Sequence, residues 1–105
     1  MSSFDERERG FERKYANDDE LEFRARSRGN RMLGEWAANK MGLENVEDYV
    51  RAVVRAELGH GGDEDVLRKV VQDLSGAGID VRESEIHQKM DEFLAIAREQ
   101  VKAGE

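Results

Sequence analysis

The sequence predicts a small all-α protein, a four-helix bundle preceded by a flexible or frayed amphipathic segment. Three observations carry this. Apolar residues recur at intervals of three and four, the period of a helix face. Acid-before-base pairs recur at i,i+4 throughout the chain. Among 105 residues there is no proline to interrupt a long helix.

The first bundle helix is expected from about Asp18 to Met41. Leu21, Ala25, Met32 and Trp36 form one face, flanked by Leu33 and Lys40, and Trp36 is expected at the centre of the core. Gly42 supplies a C-terminal stop. Gly29 falls on the apolar face, where it admits a close neighbouring helix. Phe23 falls off that face and marks either a phase shift or an exposed contact.

A second helix is expected over Val46–Leu58, capped by Asn45 with Asp48 three residues on. Its buried arc is Val46, Tyr49, Val50, Val53, Val54 and Leu58. A third follows Asp63 and ends near Ser75, with Val66, Leu67, Val70, Val71 and Leu74 inward; its valines repeat at three and four, not at two. A fourth starts near Val81, where Asp80 and Glu83 suggest a capping box, and reaches Lys102. Its stripe is Ile86, Met90, Phe93, Leu94, Ala97 and Val101. The pairs Glu20–Arg24, Glu22–Arg26, Glu47–Arg51, Glu64–Arg68, Asp65–Lys69 and Glu85–Lys89 support all four helices, each pair contributing about 0.2–0.5 kcal/mol. Short links favour antiparallel neighbours.

Composition narrows the function. Charged residues are 39% of the chain against 38% hydrophobic, so the core is expected to be thin. The formal charge of −7 argues against duplex nucleic acid as a partner. The arginines Arg24, Arg26, Arg28 and Arg31 suggest a basic face, but a solvated face with ion pairs explains them as well. There is no cysteine, and no apolar run long enough for a membrane span. His60, near Asp63, Glu64 and Asp65, lacks calcium-loop spacing, and His87 has no second ligand at metal-binding spacing. The Gly59–Gly62 and Gly76–Gly78 stretches lack the Lys-Ser or Lys-Thr of a phosphate loop. No metal, no catalytic constellation and hence no enzyme is expected.

Residues 1–19 read as a separate partner-binding segment and 20–105 as the globular domain. Phe4, Phe11 and Tyr15 are spaced by seven and four, so a helix brings all three onto one face. Gly10 weakens that helix. Such a segment is either an amphipathic helix for a partner's groove, or an N-terminal extension of the first helix, or a solubilising tail.

Several stretches together resemble the zeta subunit, the ATPase-inhibitor family of alphaproteobacterial F-type ATP synthases. They are Phe4-Asp5-Glu6-Arg7-Glu8 with Phe11-Glu12 and Tyr15, then Phe23-Arg24-Ala25-Arg26 and Leu33-Gly34-Glu35-Trp36-Ala37-Ala38. Lys40-Met41-Gly42-Leu43, Gly62-Asp63-Glu64-Asp65-Val66 and Lys89-Met90-Asp91-Glu92 complete the set. The resemblance implies a four-helix bundle that inhibits ATP hydrolysis at the membrane-bound ATP synthase. It implies an N-terminal segment that enters between the catalytic α and β subunits, reaches the γ shaft and blocks rotation. Phe4, Asp5, Arg7, Glu8, Phe11, Glu12 and Tyr15 are the contacts it implies. It also implies adenine-nucleotide binding at a site no residue here locates, and a protein held peripherally at the enzyme; a cytoplasmic location is expected from the absence of an apolar span and from the charged, not apolar, residues Met1 to Glu12. The readings that compete with it are a helical adaptor and a nucleotide-binding sensor, both without catalytic activity.

Overall fold

The computed structural model describes the backbone of residues 2–104 and the side chains of residues 18–104. Four helices follow one another: α1 Ser2–Met41, α2 Val46–Glu57, α3 Asp63–Gly76 and α4 Glu83–Lys102. There is no strand among the described residues. The first helix is therefore longer than Asp18–Met41 and takes in the N-terminal segment. The flexibility expected of that segment lies outside the described residues.

Helix ends follow local chemistry. Asn45 caps α2 as expected, its Oδ1 accepting the Asp48 N–H at 3.1 Å. Gly42 has φ +69°, and the Leu43 N–H donates to the Ala38 carbonyl at 3.0 Å, closing α1 with a left-handed residue that glycine adopts without strain. The capping box expected at Asp80 is not formed. α4 begins at Glu83, and Arg82, in extended conformation, stands at the cap with no side-chain bond.

Neighbouring helices are antiparallel. Ser27 of α1 meets Glu57 of α2, whereas Gly34 lies against Val50 and Val53, so the two helices run in opposite directions. Glu22 meets Arg98, Gly29 lies against Leu94, and Trp36 lies beside Lys89, which gives the same relation for α1 and α4. α1 packs chiefly against α4 and α2, and α3 closes the bundle.

The core is Leu33, Ala37, Val53, Val66, Leu67, Val70, Leu74 and Ile86. Each large aliphatic among them contributes about 1.5–3 kcal/mol by leaving water. Trp36 is not at its centre. It is partly buried at the margin, with Lys40 and Lys89 Nζ 5.0 and 5.7 Å from its ring centroid. The line at the bottom of the α1 interface is Ala25, Gly29, Leu33 and Ala37. Three of the four are small, and at Gly29 α4 comes close: a Cβ there would lie 3.2 Å from the Leu94 Cα. Leu58 does not join the buried arc of α2; it is the C-terminal cap residue and 76% exposed.

Candidate functional site

The residues expected to carry function, Phe4, Asp5, Arg7, Glu8, Phe11, Glu12 and Tyr15, fall on α1, and their side chains lie outside the described residues. What the structure does describe is how α1 is held. α1 has 40 residues and the longest of the other helices, α4, has 20. At 1.5 Å per residue these are about 60 and 30 Å long, so α4 flanks about half of α1. The C-terminal end of α4 lies opposite the start of the described part of α1: Arg98 and Lys102 form a shallow depression with Asp18, Leu21, Glu22 and Ala25.

Two polar links fasten α1 there. Arg98 donates from Nη2 and Nε to the two Glu22 carboxylate oxygens, at 2.6 and 3.1 Å. These hydrogen bonds hold the Glu22 carboxyl below the ordinary carboxylate range. Arg28 Nη1 donates to Gln100 Oε1 at 3.3 Å. On the other side of α1, Ser27 Oγ donates to Glu57 Oε1 at 3.3 Å.

The expected arginine face is divided. Arg24 pairs with Glu20 at 2.7 Å and Arg26 with Glu22 at 3.7 Å, while Arg28 is turned to α4. Arg31 lies across a shallow groove from Arg51 and Arg55 of α2. The ion-pair reading therefore holds for the first two. Of the six i,i+4 pairs expected, those two form. Elsewhere Arg51 meets Asp48, Arg68 meets Asp65, Lys69 meets Asp73 and Lys89 meets Glu92.

The glycine loop before α3 is used internally. Gly61 N–H donates to Asp65 Oδ2 at 3.0 Å, and a Cβ on Gly61 would collide with that carboxylate. A side chain at Gly61 would therefore require the Asp65 carboxylate to move aside. A cleft of about 120 Å³ lies between α1, α3 and α4, lined by Arg26, Asn30, Asp63, His87 and Met90 among others. It is well below the 300–1,000 Å³ typical of small-molecule pockets. Asn30, 5% exposed, donates to Asp63 Oδ1 at 3.4 Å at its edge. Among the described residues no group of three His, Cys, Asp or Glu is arranged to hold a metal ion. No described helix is long and apolar enough to cross a membrane.

Sequence reasoning missed the Glu22–Arg98 and Tyr49–Asp73 links. Both join residues far apart in the chain, and neither leaves a local spacing signal. No curated protein matches the chain. The family model described as ATPase inhibitor subunit zeta matches residues 1–100, and the chain belongs to that family.

Proposed function

We propose that this protein inhibits ATP hydrolysis by an F-type ATP synthase, with residues 1–19 inserted between catalytic α and β subunits against the γ shaft. The globular part, residues 20–105, is the anchor. The observation that supports the reading is the length of α1 relative to its partners: a 40-residue helix is flanked by helices of at most 20. A wedge that stops a rotor needs a stiff, amphipathic element and no catalytic group. The bundle keeps that element near its target once docked, which raises its effective concentration.

In this reading Phe4, Phe11 and Tyr15 are the apolar anchors, and Asp5, Arg7, Glu8 and Glu12 set register against polar subunit surfaces. The protein acts without chemistry of its own and sits peripherally at the membrane-bound enzyme. No cofactor is needed for this mechanism.

The test is addition of the purified chain to the matching ATPase. Full-length protein lowers the hydrolysis rate, and protein lacking residues 1–19 does not, while its thermal transition persists. Undiminished inhibition by the shortened protein removes the wedge from the mechanism.

A further inference from the structure

The end of α2 leaves an uncovered notch on the bundle. Phe23, Ser27 and Arg31 succeed one another at intervals of four along one ridge of α1. Ser27 bonds Glu57, the last residue of α2. Phe23 is one turn further along, on the side of α1 that faces α2 but past the point where α2 stops. Another turn of α2 would cover it. Instead the chain turns away at Gly59, whose carbonyl accepts the Gly62 N–H at 3.2 Å. Phe23 is left 64% exposed, and Leu58, which follows the last residue of α2, is 76% exposed.

Next to this apolar pair the charge is positive. Arg31 and Arg55 flank the groove between α1 and α2, both exposed, and neither has a carboxylate partner among the described residues. Arg51, in the same groove, reaches Asp48 only at 3.9 Å. The groove holds three arginines, Arg31, Arg51 and Arg55, against one carboxylate, Asp48, which in a chain with a formal charge of −7 is a local reversal of sign. Exposed aromatic and aliphatic side chains bordered by arginine are a composition that recurs at protein interfaces.

We propose that the Phe23–Leu58 notch and the Arg31–Arg55 groove form a second docking surface, which seats the bundle on an acidic surface carrying an apolar knob on the catalytic head of the ATPase. This rests on the function proposed above and extends it. The partner's acidity follows from Arg31 and Arg55, which have no carboxylate partner among the described residues, and its apolar knob from the exposure of Phe23 and Leu58. The surface also lies on α1 itself, so seating it fixes the axis of the helix whose N-terminal half is the proposed wedge.

The experiment uses full-length protein and the isolated catalytic head of the ATPase, with the dissociation constant measured at low and high salt. Two double variants are compared with wild type: Phe23→Gln with Leu58→Gln, and Arg31→Glu with Arg55→Glu. Because all four side chains are exposed, both variants should melt as wild type does. The first should raise the dissociation constant at least tenfold. The second should raise it at least tenfold at low salt and flatten its salt dependence. Constants within twofold of wild type for both, or tighter binding after charge reversal, overturn the surface while inhibition by the wild type leaves the wedge standing. Absence of any binding by the wild type removes both. Self-association of the wild type that the variants abolish, with unchanged affinity for the ATPase, assigns the notch to a second copy of the chain and also overturns the proposal.

Discussion

Glu22 and Arg98 are 76 residues apart in sequence and joined by two hydrogen bonds, at 2.6 and 3.1 Å, where the end of α4 meets α1. The paired geometry is the strongest a carboxylate and a guanidinium can make. The Arg98 hydrogen bonds lower the Glu22 pKa from its ordinary value of 4.5. A carboxyl whose pKa is lower folded than unfolded adds stability above its unfolded pKa. That contribution is lost as pH falls through the folded value. The melting temperature of Glu22→Gln should therefore lie below that of wild type at pH 7. The gap should narrow as pH falls below about 4.5, the unperturbed carboxyl value. Parallel thermal melts across pH 3 to 7 check this; a gap that widens in acid contradicts the assignment.

Gly29 and Gly34 are five residues apart on α1 and should respond oppositely to alanine. Alanine gains about 1 kcal/mol of helix propensity at either site. At Gly29 the new methyl would meet backbone, the Leu94 Cα at 3.2 Å and N at 3.3 Å, so α4 must shift bodily. Overpacking of this kind costs about 1–3 kcal/mol. At Gly34 the nearest atoms are the Val50 Cα and Val53 Cγ2, both at 3.4 Å, an ordinary contact. Gly29→Ala should lower stability in urea denaturation. Gly34→Ala should leave it unchanged or raise it by up to about 1 kcal/mol.

The order of helices, their polar turns and most of their buried faces were legible because periodicity reports them directly. Of the expected α3 stripe, Val66, Leu67, Val70 and Leu74 are buried and Val71 is partly buried. The centre of α1 was not legible. Hydrophobicity draws the eye to Trp36, but α1 is covered by α2 on one side and α4 on the other. The deepest positions therefore lie between those contacts, at Ala25, Gly29, Leu33, Gly34, Ala37 and Ala38, most of them small. Closeness of approach is read from smallness, which a hydrophobic stripe does not record. Leu58 was misplaced for a related reason: its position in the helical period is inward, but α2 ends one residue before it. Phe23, off the expected face, is exposed by the same helix end. The anchors Phe4, Phe11 and Tyr15 rest on spacing and family membership alone.

Tyr49, Asp73 and Lys69 form a compact link between α2 and α3. The Tyr49 hydroxyl donates to Asp73 Oδ2 at 2.8 Å, and Lys69 Nζ meets the same oxygen at 3.0 Å. Burial, followed by the hydrogen bond to Asp73, pushes the Tyr49 pKa well above its ordinary value of 10. A group whose pKa is raised by folding adds stability below its unfolded pKa, and that contribution is lost as pH rises through the folded value. Removing the hydroxyl in Tyr49→Phe should cost about 1–2 kcal/mol at pH 7, with Asp73 losing one donor but keeping Lys69. In a Tyr15→Phe background, which leaves Tyr49 as the only tyrosine, ultraviolet titration should show no phenolate near pH 10. A normal titration there would mean that the ring is not packed as described.

Gly10 lies within α1, in the part of the chain assigned to the wedge. Glycine in a helix interior costs about 1 kcal/mol against alanine, because it has more backbone freedom to lose. If the segment inhibits as a helix, that cost is borne when it docks, and Gly10→Ala removes it. One kcal/mol corresponds to about fivefold in an equilibrium constant. The variant should therefore inhibit ATP hydrolysis at a concentration up to about fivefold lower than wild type. Its helical circular dichroism should rise or stay level, since the change acts on helix propensity alone. Dose–response curves for the two proteins on the same ATPase preparation measure the shift. Weaker inhibition by a more helical variant would mean that the segment bends at Gly10 to enter its site, and that the wedge is two short helices instead of one.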